Sequence, residues 1–156
     1  MLSKSEKKVL AALCYNSRAT LTELAKKTKL TRQTVYKALQ SLNKEVIDYY
    51  GPMFDPEKIG LEMRAFVLIC AQREGFREQL MEALKQMDEI SQAHEVLGRY
   101  DVLVEALVPS RKDLTTLLYK INKLPPVTRT ETLLVTETFK FDTLKPVINI
   151  LSKEGV

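Results

Sequence analysis

Residues 63–139 alternate between strand-like and helix-like segments, and few folds accommodate the resulting order. Short apolar runs indicate strands, and apolar residues at helical spacing indicate amphipathic helices. Strands are predicted at 65–71, 90–97, 102–108 and 127–139, and helices at 76–87 and, after a Ser110 cap, up to residue 123. The order β-α-β-β-α-β is the split, ferredoxin-like arrangement.

The predicted strands are apolar on both faces. When both helices lie on one side of a sheet, the other side should alternate polar residues into water. The run AFVLICA at 65–71 does not alternate, and VLVEALV at 102–108 is nearly as apolar. Burying an aliphatic side chain contributes about 1.5–3 kcal/mol of stability, so an apolar sheet face that stays exposed to water is unfavourable. We therefore expect a homodimer in which a second copy of the sheet packs on this face, with the C-terminal tail covering part of it.

The tail itself, residues 142–156, fits two structures. Asp142 or Thr143 can cap a short helix that carries Pro146 in its first turn. The run VINIL at 147–151 also fits a strand, so the residues alone leave both structures open.

The first 44 residues are predicted to form three short helices. The motifs SKSE at 3–6 and TLTE at 20–23 are capping boxes, in which a hydroxyl and a carboxylate satisfy each other's backbone donors. Thr31 caps the third helix, which runs to about Lys44 and follows the short second helix after a three-residue connection. Two capped helices this close together form the helix-turn-helix pattern.

β-rich residues follow the third helix. Residues 46–50 and 53–55 flank Gly51-Pro52, and we interpret them as a β-hairpin, the wing of a winged helix. Proline and glycine then mark a linker. The predicted class is α+β, with a winged helix-turn-helix over 1–52, a linker over 53–62 and a ferredoxin-like βαββαβ domain over 63–156.

Charge is unevenly distributed along the chain. Residues 1–44 contain ten Lys and Arg against two acids, a net charge of +8, whereas residues 45–156 contain 14 bases and 18 acids, a net charge of −4. A basic segment joined to an acidic one indicates that only the first contacts a polyanion. This asymmetry favours double-stranded DNA as the partner of the helix-turn-helix.

The third helix is the expected reading helix, because the second helix of this motif enters the major groove with its N-terminal residues at the base edges. Arg can read guanine and Gln can read adenine, whereas hydroxyl and lysine side chains position the protein on phosphates. The predicted DNA-binding residues are Thr20, Thr22, Thr31, Arg32, Gln33, Tyr36, Lys37 and Gln40, with Lys26, Lys29 and Lys44 as further phosphate contacts.

Residue content argues against several other functions. No apolar run approaches the roughly 18 residues of a membrane helix, and the N-terminus lacks the apolar stretch of a signal peptide, so a cytoplasmic location is expected. The single His94 alternates with polar and apolar residues in a strand, and Cys14 and Cys70 sit in apolar patterns as core residues. No catalytic constellation, clustered metal ligands or Gly-rich phosphate loop is found, so we expect no catalytic residues, metal or cofactor.

The motif GRYD at 98–101 connects the two central strands. From the residues alone, a hairpin turn is favoured, in which Gly98 supplies a positive φ and Asp101 hydrogen-bonds the turn backbone. A ligand site is the alternative interpretation of the same four residues.

Taken together, these motifs resemble the leucine-responsive or feast/famine (Lrp/AsnC) transcriptional regulators. The resemblance spans essentially the whole chain and rests on TLTELAKKTKLTRQTV, the VIxYY strand, DPEKIGLE and the GRYD hairpin. It implies DNA binding as dimers and higher even-numbered oligomers. For many members it also implies a free amino acid bound between subunits of the second domain.

Under this resemblance the GRYD hairpin becomes an effector site. A zwitterionic amino acid needs a carboxylate near its ammonium group, which Asp101 can supply, and donors near its own carboxylate, which turn N–H groups and strand hydroxyls can supply. The implied effector-binding residues are Gly98, Tyr100, Asp101, Thr136 and Thr138.

Two departures from the family pattern and two alternative functions accompany this interpretation. The reading helix lacks the usual central Arg, and Glu45 stands where a Gly often precedes the wing, so the base contacts and the helix-to-wing corner should differ.

Sirohaem decarboxylase subunits resemble the family in both domains but use His residues, of which this chain has one. An architectural DNA binder without a ligand is the other alternative.

Overall fold

A computed structural model of the chain describes residues 2–72 and 77–153. The chain divides into two compact units. Unit 1 contains the residues up to Met53 together with those from Lys140 onward, and unit 2 contains Phe54–Phe139. Each unit has its own apolar core.

Three helices open unit 1: α1 (Lys4–Tyr15), α2 (Leu21–Thr28) and α3 (Arg32–Glu45). Both predicted capping boxes are confirmed, since the Ser3 and Thr20 hydroxyls accept the third backbone N–H of their helices while Glu6 and Glu23 accept the cap N–H. Thr31 caps α3 by accepting the Thr34 N–H at 3.2 Å. The helix-turn-helix is therefore fixed by local hydrogen bonds at each helix start.

The core of unit 1 joins these helices through their predicted inward faces. Val9 and Leu13 of α1, Leu24 of α2 and Val35 and Leu42 of α3 are buried together. Lys29 ends α2 in the left-handed conformation, with φ of 58°, which allows the short turn into α3. Leu30, in this turn, packs against the same core.

Glu6 makes the stability of unit 1 sensitive to acid. Hydrogen bonds from the Ser41 and Ser3 side chains and the Ser3 backbone lower the pKa of Glu6 from 4.5 to about 2. A carboxyl with a depressed pKa contributes stability above its unfolded-state value and loses that contribution as the pH falls toward its folded-state value. Between pH 4.5 and 2 we expect the melting temperature of the wild type to fall more steeply than that of Glu6→Gln. If the melting temperatures of the two proteins fall equally over this range, Glu6 does not contribute this acid sensitivity.

The predicted wing hairpin is wrong, because residues 46–55 contain no strand. The Leu42 carbonyl accepts both the Val46 and the Ile47 N–H, so these residues finish the helix instead of entering a β ladder. The Tyr50 hydroxyl donates to Asn43 Oδ1 at 2.7 Å and draws the segment back along α3. An isolated two-stranded hairpin is at best marginally stable, and the described residues of unit 1 contain no strand that could support one.

The corner after α3 is built without a left-handed residue. Glu45 is the last residue of the helix, and Val46 follows with φ of −133°. The position at which the family often carries Gly is thus occupied by the last residue of the helix, Glu45. A short 3-10 turn, Glu57–Ile59, follows before the sheet begins.

Unit 2 has the predicted βαββαβ order, which confirms the ferredoxin-like fold. Its elements are β1 (Met63–Ala71), α4 (Arg77–Lys85), β2 (Ile90–Glu95), β3 (Val102–Val108), α5 (Arg111–Asn122) and β4 (Val127–Leu134). The four strands lie in the order β2-β3-β1-β4, and each neighbouring pair is antiparallel. Leucines of both helices pack on one face of the sheet, against alternate residues of β1 and β3.

Two strand ends differ from the prediction. β4 ends at Leu134 instead of residue 139, and β2 ends at Glu95 instead of residue 97. β4 is an edge strand that pairs only with β1, and β1 begins at Met63, so the ladder has no partner beyond the bond from Val135 N to Arg64 O. Phe76, the predicted start of the first helix of this unit, lies outside the described residues.

The tail forms a helix, α6 (Leu144–Lys153), and the strand alternative for VINIL is wrong. Asp142 Oδ1 accepts the backbone N–H of Leu144 and Lys145, as predicted for a cap. α6 packs against α1 and so belongs to unit 1. This differs from the expected division, in which residues 63–156 form one domain and the tail covers the sheet.

Candidate DNA interface and ligand cavity

The outward face of α3 carries the residues predicted to read DNA. Val35, Ala38 and Leu42 face the core and are buried. The side chains on the opposite face are exposed, and they are Arg32, Gln33, Tyr36, Lys37 and Gln40. The amphipathic spacing of the helix therefore presents one continuous polar surface.

Two of these side chains are already ordered relative to each other. Gln40 Nε2 donates to the Tyr36 hydroxyl at 2.9 Å, one helical turn away. Arg32, at the first position of α3, lies at the end of the helix that enters the groove in a helix-turn-helix.

The predicted threonines mostly serve as helix caps. Thr20 accepts the Glu23 N–H and donates to Glu23 Oε2 at 2.9 Å, and Thr31 shares a hydrogen bond with Thr34. Thr22 is exposed in the first turn of α2. Helix N-termini are favourable positions for anions, so the starts of α2 and α3 are candidate positions for phosphate contacts.

The positive charge of the molecule lies in unit 1. The residues up to Met53 carry a net charge of +6, and residues 140–153 add three lysines against one acid, giving +8 for these two segments. Residues 54–139 carry 11 bases and 14 acids, a net charge of −3. Lys26, Lys29 and Lys44 are exposed on unit 1, as expected for phosphate contacts.

Unit 2 contains a cavity of about 360 Å³ beside the GRYD hairpin. It is bounded by the end of β1, by α4 and by the hairpin that connects β2 to β3. Its lining residues are Ala71, Gln72, Leu80, Met81, Glu95, Val96, Leu97, Gly98, Asp101 and Val102. The lining is about half polar and half apolar, and it includes two carboxylates.

Asp101 connects the hairpin to β1. Its Oδ2 accepts the Ala71 N–H at 2.9 Å, its backbone N–H donates to the Ile69 carbonyl, and its carbonyl accepts the Val96 N–H. Gly98 has the positive φ predicted for the turn, 155°. The positive φ predicted for Gly98 is confirmed, whereas the Asp101 carboxylate bonds the backbone of β1 and not that of the turn; both residues also line the cavity.

Tyr100 contacts a different strand from Asp101. Its hydroxyl donates to Glu131 of β4, and that hydrogen bond raises the pKa of Tyr100. Arg129 lies 3.6 Å from the same carboxylate oxygen of Glu131. Tyr100 therefore attaches the hairpin to the far strand and does not line the cavity.

Sequence reasoning grouped residues that the fold separates. Thr136 and Thr138 lie beyond the end of β4 and are absent from the cavity lining. It also missed Glu95 and Met81, which line the cavity. Glu95 comes three residues before Gly98, at the end of the strand that enters the hairpin. That position next to the motif could have indicated that Glu95 belongs to the site.

The remaining reactive side chains form no catalytic group among the described residues. His94 is exposed on β2 and hydrogen-bonds Gln92 at 3.1 Å. Cys14 and Cys70 are free and half-buried, and burial raises the pKa of the Cys14 thiol. Within 2–72 and 77–153 no three metal-ligating side chains converge, and no helix there is long and apolar enough to cross a membrane.

Comparisons with known proteins agree with this arrangement. Residues 64–144 match the Lrp/AsnC ligand binding domain, and residues 2–45 match the helix-turn-helix family described as sugar-specific transcriptional regulator TrmB. The chain is 29% identical over 147 residues to the HTH-type transcriptional regulator FL11 of Pyrococcus horikoshii, covering 94% of this chain and 97% of that protein.

Two further similarities extend over both units. The DNA-binding transcriptional activator DecR of Escherichia coli K12 is 29% identical over 152 residues, covering 94% of this chain and 99% of that protein. A transcriptional regulator of Neisseria meningitidis, solved as a complex with L-Met, shares the fold with a TM-score of 0.84 at 21% identity, covering 92% of this chain and 95% of that one. These similar proteins are regulators and not enzymes, which contradicts the decarboxylase alternative. The chain belongs to the Lrp/AsnC family of DNA-binding transcription regulators.

Proposed function

We propose that the protein is a transcription regulator whose DNA affinity or assembly changes when a free amino acid binds the cavity beside the GRYD hairpin. The observation that supports this most is the Asp101 carboxylate, which lies on the wall of a cavity lined by both apolar and polar side chains. Every lining residue falls within 64–144, the segment that matches the Lrp/AsnC ligand binding domain. A regulator of the same fold is known as an L-Met complex, which supports this class of ligand.

The cavity suits a small amine with an apolar body. Its volume of about 360 Å³ lies within the roughly 300–1,000 Å³ typical of small-molecule pockets. Asp101 Oδ2 is engaged by the Ala71 N–H, and its other carboxylate oxygen is the proposed partner of the ligand ammonium. Leu80, Met81 and Val96 would contact an apolar side chain. Gly98 completes the site with its backbone, whereas Tyr100, Thr136 and Thr138 would act from outside the lining.

The proposed DNA contacts divide into two sets. Arg32, Gln33 and Gln40 read base edges, and Tyr36 contacts a thymine methyl group or a phosphate. Lys37 and the threonines at the starts of α2 and α3 position the protein on phosphates, which adds affinity without sequence information.

A melting screen tests the ligand. A ligand that binds only the native state raises the melting temperature, and a concentration of about 100 times its Kd adds about 2.7 kcal/mol of stability. We expect at least one of the standard amino acids to stabilise the full-length protein, with apolar side chains above their charged isosteres. If none does, the protein acts as an architectural or differently regulated DNA binder.

We further propose that the sheet pairs face to face in a homodimer. Both helices of unit 2 cover one face of the sheet. On the other face Phe66, Leu68, Leu103 and Leu107 are half-buried and Leu133 is exposed, and they lie around the Arg64–Glu105 ion pair. Apolar side chains that the helices leave uncovered therefore remain on this face. Two copies would place two reading helices on a roughly palindromic site, about 34 Å or a multiple of it apart.

Leu103→Asp is expected to produce monomers or insoluble protein and to abolish tight DNA binding. The register pairs Leu103 with Leu68 and His94, at the middle of the uncovered face. A buried carboxylate without a partner there would oppose association. Sedimentation at micromolar concentration measures the change, with Leu134→Asp, an exposed leucine on the other side of the sheet, as the control. A wild type that sediments as a monomer at that concentration contradicts the proposed dimer.

A further inference from the structure

The C-terminal helix α6 lies outside both segments of known family. The helix-turn-helix match ends at residue 45 and the ligand-binding match ends at residue 144, where α6 begins. The structure nevertheless joins α6 to unit 1, across 86 intervening residues of unit 2. We propose that α6 is a fourth helix of the DNA-binding unit and positions the reading helix α3 by holding α1.

The burial of α1 supports this role. A helix on the surface of a small bundle normally leaves a polar face in water. In α1 no residue from Ser5 to Cys14 is exposed, although this stretch includes Lys7 and Lys8. α1 packs against α3 through the shared core, and it also packs against α6. It is therefore the central helix of this unit, with α6 as an additional support.

α6 is itself anchored at two points. Asp142 Oδ1 accepts the first two backbone N–H groups of the helix, at 3.2 and 2.9 Å, which fixes its start. Near its end, Leu151 is only 4% exposed and is the one fully buried side chain of α6 within the described residues. The neighbouring Ile150 is 60% exposed, so the helix has one docking side.

Loss of this support should lower the affinity for DNA. α3 is held in place by Val35, Ala38 and Leu42, which pack on α1 and α2. If α1 is loosened, a smaller fraction of molecules presents α3 in its binding geometry, and the apparent affinity falls by that fraction. α6 thus acts as a positioning element and need not touch DNA.

Leu151→Ala and Ile150→Ala in the full-length protein form a matched test. Leu151→Ala is expected to weaken DNA binding by about tenfold, and Ile150→Ala to leave it within twofold. Hydrogen exchange should accelerate at amides of α1 and α3 in Leu151→Ala, while amides of β1 and β3 keep their protection. Leu151→Met, which keeps the volume and the apolar character, should restore both readouts.

A charge variant separates positioning from direct contact. Lys145 and Lys153 are exposed on α6, and Lys145→Glu with Lys153→Glu reverses both charges without touching Leu151. We expect this double variant to keep most of the DNA affinity and normal exchange of α3. The proposal is overturned if Leu151→Ala leaves the affinity and the exchange of α3 unchanged, or if the charge variant alone weakens binding as much as Leu151→Ala, in which case α6 acts through phosphates.

Discussion

Replacing Arg32 by glutamate is expected to lower the affinity of the full-length protein for its DNA site by roughly 30-fold or more. Loss of one specific arginine contact costs about 1–3 kcal/mol, and a dimer loses it twice. The binding difference between specific and unrelated duplexes should shrink as well, because Arg32 is the proposed reader of guanine. Fluorescence anisotropy with both duplexes at fixed salt measures the two effects.

The substitution at Arg32 is also expected to leave the protein folded. Arg32 is the first residue of α3, whose N-cap is Thr31. A carboxylate in the first helical turn interacts favourably with the helix dipole, so Arg32→Glu should not weaken the helix. Lys37→Glu, one turn later on the same exposed face, is a second variant that should weaken binding strongly on every sequence.

Lys123→Glu provides the matched charge change in the acidic unit. Lys123 follows α5, where its ammonium lies 4.4 Å from the centre of the Tyr119 ring. We expect little loss of affinity from this variant. With about six phosphates neutralised per dimer, the wild type should show a slope near −5 for log affinity against log salt. Equal losses at Arg32, Lys37 and Lys123 would contradict α3 as the reading helix.

The second large effect is expected at Asp101. Asp101→Asn removes the negative charge but keeps a carbonyl oxygen that can accept the Ala71 N–H, so the hairpin should keep its shape. Losing the charged partner of a buried ammonium costs about 2–5 kcal/mol, which is roughly 30- to several-thousand-fold in affinity. Calorimetric titration with the best ligand from the melting screen measures the loss. DNA affinity without the ligand should remain at the wild-type value.

Asp113→Asn is the control for this substitution. Asp113 lies in the first turn of α5, next to the Ser110 cap, and does not line the cavity. It should bind the ligand as the wild type does. If Asp101→Asn also binds as tightly as the wild type, Asp101 serves only the turn. If the ligand changes DNA affinity, DNA must change ligand affinity by the same factor, which gives an independent check.

Local signals in the sequence determined most of the secondary structure. The capping boxes of Ser3 and Thr20 require only neighbouring residues, and both formed as predicted. The apolar periodicity of 63–134 gave the βαββαβ order because each element buries one face whatever lies beyond it. The exposed face of α3 followed from the same spacing.

Strand ends and the wing depended on partners that local sequence does not reveal. Residues 135–139 have a good strand pattern, but β1 begins at Met63 and pairs with β4 only up to Leu134, apart from one bond from Val135 N to Arg64 O. Residues 46–50 are equally strand-like, yet the Leu42 carbonyl and Asn43 bind them to the end of α3. A β pattern becomes a strand only where a neighbouring strand supplies the hydrogen bonds.

The position of the tail and the composition of the cavity were decided by tertiary structure alone. The sequence allowed either a capped helix or a strand after Asp142, and the docking of the helix on α1, about 130 residues earlier, depends on a non-local surface. The motif GRYD likewise predicted Gly98, Tyr100 and Asp101 as parts of one site. Packing then separated them, because Asp101 closes on β1 beside the cavity while Tyr100 reaches Glu131 on β4. The sequence therefore identified the hairpin as a candidate site, and the packing of the strands decided which of its residues line the cavity.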